Sequence, residues 1–542
     1  MRIDDLRTLP AGNWDAVVRD FRWRVPPDFS IAHACCDAWA TRDPDRAAII
    51  DIADNGAREV WNFGRLSDAS NRLAATMRGY GVGKGDRVAI LLSQSPEVMV
   101  AHFAAMKLGA IVLPLFTLFG QDALAYRLGD SGAVLAVTDA ANLDKLMEAS
   151  GNTALATVIV TDSSREAAGH PRLISWDSAI TADRLVTLEP VGADDPALLI
   201  YTSGTTGPPK GALHGHRVLI GHLPPVEMVL ELFPVPGDIG WTPADWAWIG
   251  GLMDLAMPCL YFGVPLVAHR MRKFDPEAAY RLIANEGVTV SFLPPTALKL
   301  MRQAEVQPGF RMRAICSGGE SLGDDLLDWG RISLGAPINE LYGQTECNLV
   351  VSSCAGLGVL KPGTMGRAVP GHDVAIIDAA GQEVPTGEVG EIAVRSPDPV
   401  MFLGYWNQPE KTAEKFVGDW MRTGDLGRAD DEGYLTYVSR DDDIITSAGY
   451  RIGPTEIENC LTGDADVVMA AAVGIPDPVR TEIVKAFVVL RVGASRTGVA
   501  ERLIARVRER VSPHVAPRAV EFVESLPVTA TGKIMRRTLR ER

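Results

Sequence analysis

Short apolar runs alternate with helical patterns between about residue 60 and residue 290. VAILL at 88–92 is followed by the helical PEVMVAHFAAMKLGA, by IVLPLF, by another helical stretch and by AVLAVTD. A second series begins at ALLIYTS and continues through VPLVAH and VTVSFLPP. Such alternation is typical of strands that helices join into buried parallel sheets. The sequence therefore predicts an α/β fold with two layered units in the first 350 residues.

The pattern changes after residue 360. From about 360 to 440, Gly and Pro punctuate short strands such as HDVAIIDAAG and GEVGEIAVRS, which favours an antiparallel or barrel-like unit. After the charged stretch 440–443, the remaining residues mix helix and strand in a length that fits a small α+β domain. At 542 residues the chain exceeds what one hydrophobic core organises. We predict an N-terminal domain over 1–440 and a C-terminal domain over 441–542.

Charge and cysteine content exclude several classes of protein. The net charge of -15 argues against an extended nucleic-acid surface and against adhesion to an anionic membrane. The seven cysteines are odd in number and lack CxxC spacing, which disfavours a disulfide framework and a zinc site. The first residues do not resemble a secretory signal, and no segment reaches the length of a charge-free membrane span. We expect a cytoplasmic protein without nucleic-acid partners or stable membrane insertion.

The strongest local signal is a loop rich in glycine and hydroxyl side chains. Tyr201-Thr-Ser-Gly-Thr-Thr-Gly-Pro-Pro-Lys210-Gly follows directly on the apolar run ALLI. Such a loop can wrap an anion with backbone N–H groups and hydroxyl donors, while the lysine supplies charge. No Gly-Lys-Ser/Thr ends the loop, which disfavours a P-loop NTPase. A flexible surface turn has a similar composition, so this motif alone leaves both interpretations open.

The loop resembles the signature loop of the AMP-forming adenylate superfamily, which contains acyl-CoA synthetases, adenylation domains and luciferases. Further motifs follow in the order and at about the spacing of that family, over nearly the whole chain: 317–320, 340–346, 420–426, 439–443, 448–458 and 531–534. The resemblance, strongest to bacterial medium-chain acyl-CoA synthetases, implies two layered α/β subdomains with a small β-barrel and a mobile C-terminal domain. It also implies an acid–CoA ligase that uses ATP, Mg²⁺ and coenzyme A.

The resemblance assigns a nucleotide site to these motifs. Tyr342 is an aromatic residue that can stack on a purine, and Glu346 is a hard oxygen ligand suited to Mg²⁺. Asp425 would accept the ribose hydroxyls, and Arg440, fifteen residues on, would donate to the same sugar. By resemblance, the residues that bind ATP and AMP are Thr202, Ser203, Gly204, Thr205, Thr206, Gly207, Lys210, Gly318, Gly319, Glu320, Tyr342, Gly343, Gln344, Thr345, Asp425, Arg440 and Lys533.

Lys533 is the residue to which the resemblance assigns the central catalytic role. A lysine near the C-terminus is ordinarily a solvated charge. However, a carboxylate that attacks the α-phosphate of ATP is repelled by it, because both groups are negatively charged. A mobile cation near both groups lowers the barrier that this repulsion causes. The resemblance assigns Lys533 to this role, and it implies that Glu346 and Thr202 are further catalytic residues. The segment 527–533 also resembles sites of inactivating lysine acetylation, so a lysine acetyltransferase is a candidate partner.

The second half-reaction needs room for coenzyme A. Family members rotate the C-terminal domain about a hinge that matches Asp442, and so present another face to the nucleotide. Gly449 on that face would let pantetheine pass close to the backbone. The resemblance adds Tyr450 and Arg451 beside it, and Arg480 as a contact for a CoA phosphate.

The segment 241–251 is similar to the acyl-pocket segment of acetyl-, propionyl- and medium-chain acyl-CoA synthetases, with Trp248 as a pocket wall and Gly251 beside it. Enzymes for acetate and propionate carry a tryptophan at the position of Gly343. We expect that the missing indole opens a cavity for several more carbons, so that the acid is medium-chain, branched or aryl.

Three alternatives remain open. The same adenylate chemistry serves a stand-alone adenylation enzyme that loads a carrier protein. A catalytically silent protein that binds nucleotide or acyl-CoA is disfavoured by the intact Lys533, Glu346 and Asp425. Oxygenation of the luciferase kind has no supporting feature. A homodimer is compatible with the sequence, which does not determine the oligomeric state.

Overall fold

The computed structural model describes most of the chain. The described residues are 6–162, 169, 171–183, 187–202, 208–320, 322–440, 443–447, 450–477, 481–529 and 533–541, with the side chains of 446, 450 and 451 left out. Within them, no helix is long and apolar enough to cross a membrane.

The first part of the chain, residues 14–179, alternates helices with strands. Its helices are α1 (Trp14–Asp20), α2 (Ala38–Arg42), α3 (Phe63–Gly79), α4 (Pro96–Lys107), α5 (Gln121–Ser131), α6 (Ala140–Ala149) and α7 (Trp176–Ala179). Its strands are β1 (Ala47–Ile52), β2 (Arg58–Asn62), β3 (Arg87–Leu91), β4 (Ile111–Pro114), β5 (Leu135–Thr138), β6 (Thr157–Val160) and β7 (Arg172–Ser175).

The central part, residues 196–368, follows. Its helices are α8 (Val218–Val229), α9 (Ile249–Gly251), α10 (Met257–Phe262), α11 (Pro276–Glu286), α12 (Pro295–Met301) and α13 (Asp324–Trp329). Its strands are β8 (Pro196–Thr202), β9 (Lys210–Gly215), β10 (Gly240–Trp241), β11 (Leu266–Ala268), β12 (Val290–Phe292), β13 (Ala314–Gly318), β14 (Ile338–Gln344), β15 (Cys347–Ser352) and β16 (Arg367–Ala368). A π-helical turn, Leu252–Ala256, joins α9 to α10.

The remaining elements lie in residues 374–540. The helices are α14 (Pro409–Ala413), α15 (Pro454–Thr462), α16 (Val499–Arg510) and α17 (Arg536–Arg540). The strands are β17 (Val374–Ile377), β18 (Gly390–Arg395), β19 (Gly404–Tyr405), β20 (Phe416–Val417), β21 (Trp420–Ala429), β22 (Leu435–Arg440), β23 (Ile445–Ser447), β24 (Tyr450–Ile452), β25 (Val467–Asp477), β26 (Thr481–Leu490) and β27 (Ala519–Phe522).

Two large mixed sheets form the first part of the fold. One has the strand order β19-β9-β8-β4-β3-β5-β6-β7, and the other β16-β15-β14-β13-β12-β10-β11-β1-β2. The predicted alternation of strands and helices is confirmed. However, β8, which contains the run ALLIYTS, belongs to the first sheet, whereas β1 and β2 join the second sheet. The two predicted units are therefore present, but they interleave along the chain, and the second series of apolar runs does not form a sheet of its own.

Two smaller sheets complete the described structure. Strands β17, β18, β20, β21 and β22 pair antiparallel into the predicted barrel-like unit. Strands β23 to β27 form the sheet of the C-terminal part, with β26 and β27 parallel. The predicted domain boundary lies beside residues 441–442, which are outside the described part, and it stays a prediction.

A buried ion pair ties α4 to the short π-helical turn before α2. Pro96 starts α4, whose residues are buried on almost every face, as expected for a helix between a sheet and other helices. At its end, Lys107 Nζ lies 2.7 Å from Asp37 Oδ1 and 2.8 Å from Ser70 Oγ, and its side chain is only 1% exposed. The pair therefore neutralises an ammonium group that is removed from water.

We predict that Lys107→Met lowers the free energy of unfolding by about 3–5 kcal/mol, because it leaves the Asp37 carboxylate without its cation. Urea denaturation measures this change. The matched control is Lys411→Met, since Lys411 pairs with Glu414 in an exposed position, where about 0–1 kcal/mol is expected. Equal losses in the two variants would contradict this account of α4.

Candidate active site

Asp425 and Arg440 lie side by side because of the register of a hairpin. The two residues are direct partners across the antiparallel strands β21 and β22. Arg440 Nη1 lies 3.2 Å from Asp425 Oδ1, and the Tyr342 hydroxyl donates to Asp425 Oδ2 at 2.8 Å. Burial raises the pKa of Asp425, while the charges of Arg440 and Lys533 act to lower it. The resemblance assigns all four residues to the nucleotide site, and the structure brings them together.

The turn after β14 adds a second group of predicted residues. Gln344 Nε2 donates to the carbonyl oxygen of Thr423 at 3.0 Å, and Lys415 Nζ donates to Gln344 Oε1 at 3.0 Å. Thr345 follows in the same half-buried turn. Sequence reasoning missed Lys415, because nothing in its segment TAEKF distinguishes it from a solvated lysine.

Glu346 lies at the base of this turn and is 6% exposed. Its Oε1 accepts a short hydrogen bond from the hydroxyl of Tyr405, another residue that sequence reasoning missed. Lys210 Nζ lies 4.4 Å from the centre of the Tyr405 ring. Burial lowers the pKa of Lys210, and the charge of Glu346 opposes that shift. The carboxylate and the ammonium group therefore share one small region.

The predicted phosphate loop begins and ends on paired strands. Thr202, at the end of β8, and Lys210, at the start of β9, are direct partners, and Thr202 Oγ1 lies 3.4 Å from the carbonyl oxygen of Lys210. The loop residues Ser203, Gly204, Thr205, Thr206 and Gly207 lie outside the described residues. Their contact with phosphate stays a prediction.

A cleft lies between the C-terminal part and the end of β13. Its volume is about 10 Å³, and it is lined by Trp248, Pro294, Pro295, Thr296, Gly318, Gly319, Glu320 and Lys533. A Cβ atom on Gly319, whose φ is +98°, would lie 3.6 Å from Lys533 Cε and 3.9 Å from Trp248 Cζ2. The cleft thus brings the predicted catalytic lysine and the predicted acyl-pocket wall to one place.

Glu320 and Gly318 support this cleft from the sheet. Glu320 Oε1 accepts from the backbone N–H of Ile534 at 3.3 Å, and Glu320 Oε2 lies 3.5 Å from Lys299 Nζ. A Cβ atom on Gly318 would lie 2.6 Å from the carbonyl oxygen of Leu341 on the neighbouring strand. Glycine is therefore required at 318 by the close approach of β13 and β14.

The structure corrects the interpretation of Gly343. A Cβ atom at this position would lie 2.2 Å from the backbone nitrogen of Leu349 and 2.9 Å from Asn348 Cα. The main chain after the turn fills the space beside Gly343, so this glycine does not open a cavity in its Cβ direction. Gly251 is similar, because its Cβ atom would lie 2.6 Å from the carbonyl oxygen of Asp245. Both glycines permit a close backbone approach.

Some predicted residues lie outside the described part. The hinge residue Asp442, Gly449 and Arg480 are among them, and Tyr450 and Arg451 are described only as backbone of β24. Their roles in coenzyme A binding and domain rotation stay predictions.

Comparison with known proteins agrees with this arrangement. The family described as AMP-binding enzyme matches residues 36–406, and the family described as AMP-binding enzyme C-terminal domain matches residues 456–533. The chain is 33% identical to acetyl-coenzyme A synthetase of Bacillus subtilis, over 99% of this chain and 97% of that protein. It is 32% identical to the mitochondrial acyl-coenzyme A synthetase ACSM4 of Rattus norvegicus, over 95% of this chain and 91% of that protein.

Among solved structures, the anthranilate CoA ligase AuaEII in complex with anthranoyl-AMP matches with a TM-score of 0.86 and 25% identity. The match covers 95% of this chain and 98% of that chain. The fold and the site define a ligase that forms acyl adenylates. The chain belongs to the AMP-binding acyl-CoA synthetase family.

We predict that Asp425→Asn raises the KM for ATP by about 10–100-fold, because a hydrogen bond to a charged acceptor contributes about 1.5–3 kcal/mol. Release of pyrophosphate at varied ATP concentration measures the effect. Asp419→Asn is the matched control, since Asp419 is exposed. A KM for ATP that is the same in both variants would contradict the assignment of Asp425 to the nucleotide.

Proposed function

We propose that this protein activates a carboxylic acid larger than propionate and transfers its acyl group to coenzyme A. In the first half-reaction, a carboxylate oxygen of the acid attacks the α-phosphorus of ATP and displaces pyrophosphate, which yields acyl-AMP. In the second, the thiol of coenzyme A attacks the acyl carbonyl, and AMP leaves. The observation that carries the proposal is the position of Lys533 beside Gly319 and Trp248.

Lys533 is suited to the first half-reaction. Its side chain reaches the cleft from an exposed position, while Ile534 is held by Glu320 and the Lys533 backbone N–H donates to Thr529 Oγ1 at 3.1 Å. A fixed backbone with a long side chain can place an ammonium group between the incoming carboxylate and the α-phosphate. Such a cation offsets the repulsion between the two anions in the transition state. Thr202 and Lys210, at the base of the phosphate loop, would contact the phosphates.

Glu346 is the residue that would hold Mg²⁺. No group of three or more His, Cys, Asp or Glu side chains in the described part forms a metal cage. One protein carboxylate with substrate phosphates and water is a common arrangement for Mg²⁺, which keeps several of its waters. The ion would neutralise charge on the leaving pyrophosphate. Tyr405, which donates to Glu346, would fix the orientation of that carboxylate.

The second half-reaction requires Lys533 to withdraw from the cleft. In the present arrangement of the two parts, the lysine occupies the cleft at Gly319, which corresponds to adenylate formation. Rotation about Asp442 would move it away and bring Gly449, Tyr450, Arg451 and Arg480 to the nucleotide. This step is inferred from the family resemblance alone.

The size of the acid depends on what walls the cleft. Trp248 is half-buried and packs 5.4 Å from Phe292, centre to centre. Position 343 carries no indole of the kind that caps the site in enzymes for short acids, but the backbone of Leu349 fills the space in the Cβ direction of Gly343, so the proposal of a larger acid rests on the family resemblance. One relative is named for acetate, one for an acyl group of unstated length and one for anthranilate, and these names do not decide the acid for this chain. We infer a medium-chain, branched or aryl acid.

A carrier-protein acceptor is the second candidate. The adenylation residues would be the same, and the surface that selects the acceptor includes residues outside the described part. A cytoplasmic location and a homodimer also stay predictions.

We predict that thioester forms best from acids larger than propionate. The test measures pyrophosphate and CoA thioester with ATP, Mg²⁺ and coenzyme A across acids from acetate through octanoate, with isobutyrate and benzoate, and with Lys533→Ala as control. Loss of product in that variant supports the proposal. Pyrophosphate without thioester would indicate a carrier-protein acceptor, and a preference for acetate would mean that the proposed acid size is wrong.

We also predict that acetylation of Lys533 abolishes adenylation, because acetylation removes the positive charge. Protein that carries acetyl-lysine at position 533 is compared with unmodified protein in pyrophosphate release. Treatment with a deacetylase should restore the rate. An unchanged rate in the acetylated protein would contradict this regulation.

A further inference from the structure

The carboxyl group of Asp254 is buried close to the candidate acyl site. It lies in the π-helical turn Leu252–Ala256, and it is 1% exposed among apolar neighbours. Turns of this kind inside helices are frequent at functional sites. A buried carboxyl group costs free energy unless its polar atoms find partners. Asp254 is therefore a candidate for a functional residue.

Asn348 is the described hydrogen-bond partner of Asp254, and His222 fixes the orientation of the Asn348 amide group. The Nδ1 atom of His222 lies 2.6 Å from the carbonyl oxygen of Val218. A carbonyl group only accepts, so Nδ1 carries the proton and Nε2 is an acceptor. Asn348 Nδ2 donates to that Nε2 at 3.0 Å and to Asp254 Oδ1 at 2.5 Å. Both amide protons are thus used, and His222 stays neutral because burial lowers its pKa to about 4.

The second oxygen of Asp254 lies close to Gly250, which neighbours the cleft-wall residue Trp248. A Cβ atom on Gly250 would lie 3.3 Å from Asp254 Oδ2 and 3.2 Å from Trp248 Cη2 and Cζ2. The same edge of the Trp248 ring lies 3.9 to 4.0 Å from the Cβ position of Gly319, beside Lys533. Oδ2 has no hydrogen-bond partner among the described residues. It is also absent from the unpaired polar atoms that are fully buried in the described part. Oδ2 is thus an unpaired oxygen beside Gly250, next to the residue that walls the cleft.

Backbone strain marks the segment that carries Asn348. Leu349 has a φ of +60°, a left-handed value that is unusual for a residue other than glycine. The backbone nitrogen of Leu349 also fills the space that a side chain at Gly343 would need. Strain of this kind is stored mostly at functional sites, where the surrounding structure fixes it. The strained turn at Leu349 is the one that passes close to Gly343 and that carries Asn348.

The geometry points to Asp254 as a specificity residue, whose free oxygen hydrogen-bonds a hydroxyl or amino group on the tail of the carboxylic acid. The inference rests on the proposed function, because it takes the cleft at Trp248 as the acyl site. An acid with a purely apolar tail leaves Oδ2 without a partner in apolar surroundings. A site built to hydrogen-bond a substrate group rejects the analogue that lacks it by large factors.

Burial raises the pKa of Asp254 well above its usual value. Burial therefore favours the neutral carboxylic acid over the carboxylate. A protonated carboxyl group both donates and accepts one hydrogen bond at Oδ2, so a hydroxyl group and an amino group each find a matching partner there.

The test compares kcat/KM for acids that differ only in one polar group. The pairs are butyrate with 4-hydroxybutyrate, hexanoate with 6-hydroxyhexanoate, and benzoate with 2-aminobenzoate and 4-hydroxybenzoate. We expect the intact protein to favour the polar member of at least one pair by about tenfold or more. Asp254→Leu should reduce that ratio by about tenfold, and Asp254→Asn, which keeps one oxygen, should reduce it less.

Glu227→Gln is the matched control. Glu227 is also buried, and burial raises its pKa to about 7, but its partners are Thr8 and Leu9. The ratio should not change in this variant. Asn348→Leu serves as a second variant, because it removes the group that orients Asp254 and should also lower the ratio.

Each outcome decides the inference. An intact protein that favours the unsubstituted member of every pair overturns it, as does a polar-to-apolar ratio that both Asp254 variants leave unchanged. Equal loss of kcat/KM for both members of a pair would indicate a purely structural role. Failure of the proposed function is distinct, because then no acid gives thioester even with the intact protein.

Discussion

The site depends on the contact between Lys533 and a glycine. Lys533 Cε lies 3.6 Å from the position that a Cβ atom at 319 would take, which is an ordinary van der Waals distance, and the positive φ of Gly319 favours glycine there. A lysine from the last ten residues of the chain thus lies beside the end of β13. Under the proposed function two anions would react there, and this approach would bring the ammonium group to them.

Contacts between the C-terminal part and the rest of the chain hold this arrangement. The Ile534 N–H is bound by Glu320, and Arg506 Nη2 lies 3.3 Å from Asp325 Oδ2. Arg302 Nη2 donates to the carbonyl oxygen of Thr462 at 3.3 Å. The three contacts named here are polar, a character common in interfaces between domains that move. Under the proposed function, Lys533 would leave the cleft before a thiol enters, and such an interface would permit that movement.

The sequence predicted the general architecture and the pairing of distant motifs, but not the details of the cleft. Alternating apolar runs predicted the sheets, because strand and helix periods are local properties of the chain. The interleaving of the two large sheets depends on contacts between β1 and β11, which no local pattern records. Tyr405 and Asn348 contribute through single side chains in ordinary segments. Gly343 was misinterpreted, because a missing side chain gives space only where the backbone does not fill it.

The most direct test of the account separates the two half-reactions of Lys533→Ala. Single-turnover measurements follow pyrophosphate from ATP and acid, and thioester from preformed acyl-AMP and coenzyme A. We expect the variant to lose adenylation and to keep thioester formation, since the proposal assigns Lys533 to the first half-reaction only. Equal loss of both half-reactions, or adenylation at the rate of the intact protein, would contradict the central role of Lys533.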